Sequence, residues 1–272
     1  MKTTLLITTF NRAELLKNSL ERLTYLTKPD DLLVVDDGSQ DNTKQVVYSF
    51  EGKLPVRYIY NHSLGWTICS FARNIGIKNT DAEIIITSEP ELLFMTDVIA
   101  QMLKYHDENP SCVISAGSIY HMQPHTPMNY GFIKDPKSAL HDTGFEVHEI
   151  QPRSYHPQKL VKTEGWVAPF SALYEKKWLM DINGWDEDFP AIYAFDDTDL
   201  LTRLRINGLG QRICNDIECL HQWHNKLPLD TGGHAMKVND EYYQAKHLDE
   251  LSVGDPKLKA NQTHEWGVIK QQ

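Results

Sequence analysis

Three successive isoleucines, Ile84, Ile85 and Ile86, lead through Thr87 and Ser88 into the corner Glu89-Pro90-Glu91. A continuous β-branched run of this length is too short for a helix and suits a strand covered on both faces. Such strands lie inside α/β sheets, and ligands gather at their carboxyl ends. Two carboxylates separated by one residue at that end could hold a divalent cation carrying a phosphate. Taken alone, the same residues also read as a polar turn that stops the strand.

The flanking chain repeats one pattern. Residues 4–9 read as a strand. Asn11 then stands as a helix cap, with Glu14 three residues on as in a capping box, and Leu16, Leu20 and Leu23 mark a helix over 13–26. A strand over 32–35 stops at Asp36-Asp37-Gly38-Ser39. A helix over 42–50, a strand over 56–60, a helix over 65–77 and the isoleucine strand over 83–87 follow. Next come a helix over 97–106, capped by Thr96, and a strand over 113–116. This alternation predicts an α/β fold with parallel strands, right-handed crossovers and a nucleotide-binding type of sheet.

Residues 121–165 mix prolines, histidines and aromatics without a sustained period, which marks an acceptor-side region or lid. Regular structure resumes over 166–174, with a short helix over 175–180. A helix over 197–207 turns Leu200, Leu201 and Leu204 inward and ends before Gly208. Short strands over 212–214 and 218–221 precede a helix over 240–251, then a polar segment that docks loosely or not at all. Neither a repeat nor a domain boundary shows. The chain therefore reads as one domain: a nucleotide-binding half (about 1–118), an acceptor half (about 119–239) and a C-terminal helix and tail (240–272).

The net charge of −10 disfavours nucleic acid and anionic membranes as partners. There is no apolar run near the ~18 residues of a membrane span and no signal-peptide pattern, so a cytoplasmic protein is expected. Cys69, Cys112, Cys214 and Cys219 have no metal-site spacing and are expected as buried free thiols. Asn61-His62-Ser63 and Asn261-Gln262-Thr263 match glycosylation sequons but are discounted without a secretion signal.

Five short pieces then fall in order: Thr8-Thr9-Phe10-Asn11-Arg12, Val34-Val35-Asp36-Asp37-Gly38-Ser39, Ala72-Arg73-Asn74-Ile75-Gly76, Asn183-Gly184-Trp185-Asp186-Glu187 and Phe195-Asp196-Asp197-Thr198-Asp199. Together they resemble family 2-type glycosyltransferases of the GT-A fold, over about residues 4–224. The resemblance implies a Rossmann-like, mostly parallel sheet flanked by helices. It also implies an inverting transfer from a nucleotide diphosphate sugar, most naturally a UDP-sugar, to an acceptor hydroxyl, with Mn²⁺ or Mg²⁺.

Thr8, Thr9, Phe10 and Arg12 would then lie at the nucleotide. Asp36 and Asp37 would face the nucleoside, although Asp37 could instead close an Asx-turn with Gly38 and Ser39. Arg73 would face the diphosphate or nucleoside. Glu89 and Glu91 replace the family's Asp-any-Asp metal motif, with His221 as a further ligand and His224 near the substrate phosphate. The two histidines could equally be half-buried strand-end residues. Asp197 is the expected general base and Asp196 its acidic neighbour on the acceptor side. Trp166, Trp185 and Tyr193 are candidate sugar platforms, each of a type found more often in a core.

The acceptor stays open: glycan, lipid-linked sugar, protein or modified nucleic acid. A non-catalytic nucleotide-sugar or glycan-binding protein on the same fold is the alternative, favoured by the glutamates at the metal motif. A nucleotidyltransferase ranks last, because residues 8–12 lack a Gly-rich phosphate loop.

Overall fold

A computed structural model describes residues 1–63, 69–122, 128, 130–141, 147–152, 159–161, 169–192, 194–225 and 233–270. The N-terminal half is built from β1 (Thr3–Thr9), α1 (Ala13–Leu23), β2 (Asp31–Asp36), α2 (Thr43–Tyr48), β3 (Val56–Tyr60), α3 (Ser70–Lys78) and β4 (Ile84–Ser88). Its strands are parallel in the order β3-β2-β1-β4. The isoleucine run behaves as its pattern predicts. Ile84 and Ile86 pack with Leu5, Ile7, Leu32 and Val34 on one face, while Ile85 joins Leu6, Leu33 and Val35 on the other. All three isoleucines are fully buried, which identifies β4 as an interior strand.

The chain continues through β5 (Leu92–Phe94), α4 (Val98–Glu108), β6 (Cys112–Met122), α5 (Tyr130–Lys134), β7 (Val147–Pro152), β8 (Lys159–Val161), β9 (Ala172–Glu175), α6 (Lys176–Asp181), α7 (Asp196–Ile206), β10 (Gly210–His221) and α8 (His234–Ala245). Simple alternation would place β6 beside β4. Instead β9, from much later in the chain, lies between them and is antiparallel to both. The Ser171 hydroxyl fixes this entry by donating to the Thr87 carbonyl at 2.8 Å. β6 pairs in parallel with β10, and β10 pairs antiparallel with β5. The fold is thus α/β with a mostly parallel central sheet, as expected, interrupted by antiparallel strands.

Several local expectations are corrected. Asn11 does not cap α1: its backbone is left-handed (φ 50°), and its side chain accepts from Gln40 N–H at 2.7 Å. The Asp41 carboxylate serves the helix start instead, accepting from Ala13 N–H at 3.0 Å. Thr96 does not cap α4; Asp97 holds the cap position, and the Thr96 hydroxyl accepts from Glu218 N–H at 3.4 Å. The strand expected over 113–116 runs to Met122, and the two short strands near 212–221 are one strand with a register shift between Cys214 and Glu218. The 121–165 segment contributes strands rather than staying irregular, although much of it lies outside the described residues. So does the expected helix start over 65–68. α8 begins earlier than expected, at His234. All four cysteines are free, but Cys69 is exposed rather than buried.

The C-terminal tail is docked, contrary to expectation. Leu258, Ala260, Asn261 and Trp266 are all buried. Asn261 donates to the carbonyls of Asn183 and Trp185 and accepts from Glu187 N–H, each at 2.8 Å. This explains the Asn183-Gly184-Trp185 motif. Both Asn183 (φ 58°) and Gly184 (φ 68°) are left-handed, a conformation that asparagine and glycine adopt most readily. A Cβ on Gly184 would lie 2.2 Å from Asn74 Oδ1. Gly184→Ala is therefore expected to destabilise the protein by about 2–4 kcal/mol, combining the backbone conformation with a clash against a buried amide. Chemical denaturation checks this, and a change within about 0.5 kcal/mol contradicts it.

Candidate active site

Three segments distant in sequence meet at the carboxyl end of β4. α3 brings Arg73, the corner after β4 brings Glu89 and Glu91, and the start of α7 brings Asp196 and Asp197. Arg73 Nη1 donates to Asp197 Oδ1 at 2.8 Å and to Asp196 Oδ2 at 3.3 Å. Its other terminal nitrogen lies 3.9 Å from Glu89 Oε1. Arg73 is buried, and burial alone would weaken its charge; the surrounding carboxylates, Asp197 foremost, outweigh this and raise its pKa. One guanidinium cannot balance every acid around it. Burial, then the adjacent Asp197 charge, pushes Asp196 up to about 7 against the pull of Arg73. Burial and the neighbouring Glu91 hold Glu89 well above the usual carboxylate range.

Asp197 also accepts from Trp185 Nε1 at 2.8 Å. Trp185 is almost wholly buried, and Arg73 lies 5.3 Å from its ring centroid. The expectation of Trp185 as a sugar platform is corrected accordingly: its ring is in the core, and its N–H orients a carboxylate. Trp166 and Tyr193 lie outside the described residues.

The approach to α7 is strained. Ala194 (φ 72°) and Phe195 (φ 70°) are consecutive left-handed residues with side chains, which costs roughly 1–3 kcal/mol each. Buried Asn239 on α8 fastens this turn, donating to the carbonyls of Ala191 and Ala194 and accepting from Ala191 N–H, each at 2.9 Å. Lys246, also from the C-terminal portion, bridges Asp186 at 2.7 Å and Asp199.

On the other side of the corner, Glu91 faces His221 and His224. Glu91 Oε1 lies 3.7 Å from His221 Nε2 and 3.4 Å from His224 Nε2. The three residues offer ligand atoms all within 4.8 Å of one another. Burial works against the Glu91 charge, but the His224 hydrogen bond and both imidazoles outweigh it and lower its pKa. Burial lowers His221, whereas the hydrogen bond to Glu91 raises His224. The His221 ring stacks on His121 at 4.3 Å, with 9° between planes, and Phe170 meets both edge-on. Of the ligand set expected from sequence, Glu91 and His221 come together; His224 completes the group, and Glu89 turns to Arg73.

At the end of β2, both Asp36 oxygens are engaged, one by Ser39 N–H at 2.8 Å and the other by the Tyr58 hydroxyl at 2.6 Å. Asp36 thus holds this turn by accepting the N–H three residues on, where an Asx-turn at Asp37 was the alternative to a nucleoside contact. Asp37 Oδ1 accepts from the Asn61 amide at 2.7 Å, and Asp37 N–H donates to the Thr9 carbonyl at 2.9 Å. Thr8, Thr9 and Phe10 lie at the end of β1 beside this turn. Arg12 Nη2 sits 3.3 Å from His224 Nδ1, linking the first loop to the histidine group. Asn61, Asn74 and Asn239 were not singled out for these roles by sequence. Asn74, which accepts from Trp185 N–H and donates to Glu187, stood within the Ala72-Arg73-Asn74 motif; Asn61 and Asn239 had no such signal.

Among the described residues, no helix is long and apolar enough to cross a membrane. The raised Asp196 gives a pH prediction. Its folded value of about 7 lies above the ordinary ~3.9 of an unfolded chain, so between those values only the native state keeps the proton. Its contribution to stability is full at low pH and is lost as pH rises towards 7 and beyond. The melting temperature of Asp196→Asn is therefore expected to fall less than that of the wild type between pH 5 and 8, by roughly a few degrees. Parallel curves contradict this.

The glycosyl transferase family 2 model matches residues 4–182, more than half of the chain. Validoxylamine A glucosyltransferase of Streptomyces hygroscopicus subsp. jinggangensis is 24% identical over 258 residues, covering 89% of this chain and 60% of that relative. The chain thus spans less than two thirds of that relative's length. Staphylococcus aureus TarS residues 1–349, solved with UDP-GlcNAc, superimposes with a TM-score of 0.62 at 15% identity, covering 84% of this chain and 60% of that one. The mannosyltransferase PcManGT of Pyrobaculum calidifontis, solved with GDP-Man and Mn²⁺, gives 0.56 at 17% identity, covering 91% and 61%. These structural likenesses establish the fold. With the family match spanning both β2 and the β4 corner, the chain belongs to glycosyl transferase family 2.

Proposed function

We propose that this protein is an inverting glycosyltransferase that moves a sugar from a UDP-sugar to an acceptor hydroxyl. The observation that carries this reading is the position of Arg73, which reaches Asp197 and Asp196 on one side and Glu89 of the strand-end corner on the other. A carboxylate fit to take a proton is thereby tied to the corner that carries Glu91 and the two histidines. TarS solved with UDP-GlcNAc supports a uridine nucleotide as donor.

Glu91, His221 and His224 suit a divalent ion, with one carboxylate oxygen and two imidazole nitrogens within 4.8 Å of one another. Imidazole donors favour Mn²⁺ over Mg²⁺. Bound there, such an ion would supply positive charge to the diphosphate. Glu89 is not part of this set: its partner is Arg73, and its raised pKa reduces its negative charge.

The chain's own residues account for the rest of the reaction. Asp37, at the end of β2 with its carboxylate oriented by the Asn61 amide, meets the nucleoside. Arg12, beside His224, approaches the diphosphate side. Asp197, oriented by Arg73 and Trp185, takes the proton from the acceptor hydroxyl as its oxygen attacks C1 of the sugar. The bond from C1 to the phosphate oxygen breaks, its electron pair leaves with UDP, and the anomeric centre inverts.

Asp197→Asn is expected to lower turnover by about 10²–10⁴-fold while UDP binding stays within a few-fold. Glu91→Ala and His221→Ala should each abolish the metal dependence of UDP binding, measured calorimetrically with Mn²⁺ and with chelator. Normal turnover in Asp197→Asn would remove the base assignment. Donor binding without transfer to any glycan, lipid-linked sugar or peptide acceptor would favour a nucleotide-sugar-binding protein instead.

A further inference from the structure

The docked C-terminal tail does more than cover the back of α3. Residues 255–270 run from the Asn183-Gly184-Trp185 turn, past α3, to the donor-side loop after β3. Gly267 N–H donates to Glu187 Oε1 at 2.9 Å, and a Cβ on Gly267 would lie 2.8 Å from the Asn74 carbonyl oxygen. The tail therefore lies directly against the helix that carries Arg73. Trp266 is buried, with Lys78 4.4 Å from its ring centroid. Beyond it, Lys270 N–H donates to Asn61 Oδ1 at 2.8 Å, and His62 N–H donates to the Lys270 carbonyl at 3.0 Å.

Asn61 is where this contact acquires a consequence. Its side chain is almost wholly buried and bridges two partners: Oδ1 receives the Lys270 N–H, and Nδ2 donates to Asp37 Oδ1 at 2.7 Å. The surrounding loops leave little slack. Asn61 N–H donates to the Asp36 carbonyl at 2.8 Å, and the Ser63 hydroxyl donates to the Asp37 carbonyl at 2.7 Å. A Cβ on Gly38 would lie 3.1 Å from Ser63. An amide has one carbonyl end and one NH₂ end. The backbone N–H of Lys270 therefore selects the flip of Asn61 that points its NH₂ at Asp37. Without that donor, the buried carbonyl of Asn61 is left unsatisfied and the amide loses its preferred orientation.

We infer that the peptide group of Lys270, acting through Asn61, positions the Asp37 carboxylate for the nucleoside and makes the C-terminal strap part of the donor site. Asn61 and Lys270 are positioning residues; neither is assigned contact with the sugar or the acceptor. The strap lies outside residues 4–182 that match the family model. The inference rests on the reading of Asp37 as the nucleoside contact.

The test is calorimetric binding of UDP and of uridine to the full chain and three variants. Lys270→Pro removes the N–H, together with the lysine side chain and some backbone freedom. Truncation after Gly267 removes the peptide without interrupting any strand or helix and serves if the proline variant fails to fold. Lys270→Ala keeps the backbone donor and removes the side chain beyond Cβ, including the ammonium near the Phe71 ring, and so controls for the side-chain loss in the proline variant. Both Lys270→Pro and the truncation are expected to weaken UDP and uridine by the same factor, about tenfold, while Lys270→Ala matches the wild type. The equal factor for uridine places the loss at the nucleoside. A melting transition that stays well above the assay temperature in the same variants separates this from a merely stabilising tail, which would weaken both ligands only by lowering the folded fraction. Wild-type binding retained by the truncation overturns the inference, as does a loss confined to UDP or an equal loss in Lys270→Ala. If the wild-type protein binds neither UDP nor uridine, the donor reading itself fails and this inference falls with it.

Discussion

Arg73 sits at the carboxyl end of β4 with Asp196, Asp197 and Glu89 around its guanidinium, and much of the site depends on that imbalance of charge. A buried cation is costly without partners, and buried carboxylates are costly without a cation. Neither α3, nor the β4 corner, nor the start of α7 could bury its own charge at this place. Brought together they can, provided that part of the negative charge is titrated away. The raised values at Asp196 and Glu89 express this, and they leave Asp197, with the shortest contact to Arg73, as the member held as a hydrogen-bond acceptor from two sides.

The same cluster explains why the surrounding structure is so rigidly specified. Trp185 must present its N–H to Asp197, so the turn before it is held in left-handed conformations by Asn74 and Asn261. The segment entering α7 carries two further left-handed residues, and Asn239 on α8 holds it from outside the family-matched region. Strain of this kind persists only where neighbouring contacts over-determine it. Three asparagines therefore do comparable work at two edges of the site, each spending its amide on backbone or carboxylate groups that would otherwise lie buried and unpaired.

The C-terminal segment links these edges. It packs against α3, accepts the turn around Trp185 and ends at Asn61 beside Asp37. The donor-side loop and the base-side turn are thus joined by one strap of chain as well as by the sheet. This gives a physical reason for a largely polar tail to be docked: a few apolar side chains, Leu258 and Trp266 among them, are buried, and the Asn261 amide and the backbone N–H groups of Gly267 and Lys270 make directed bonds around them.

The sequence by itself determined the alternation of strands and helices, the interior place of β4 and the chemistry available at the strand ends. Ile84–Ile86 could be read because a period-two pattern with both faces apolar is a local property, and the acidic corners could be read because a strand end fixes where neighbouring residues lie. The tertiary structure alone decided who faces whom. β9 entering beside β4, Glu89 turning to Arg73 while His224 joins Glu91, Asp36 rather than Asp37 closing the turn, and Trp185 lying buried all depend on partners far away in the chain. Sequence spacing encodes geometry only within an element. Whether a carboxylate becomes a ligand, a base or a turn-former depends on which cation or N–H donor the packed sheet brings within about 3 Å of it.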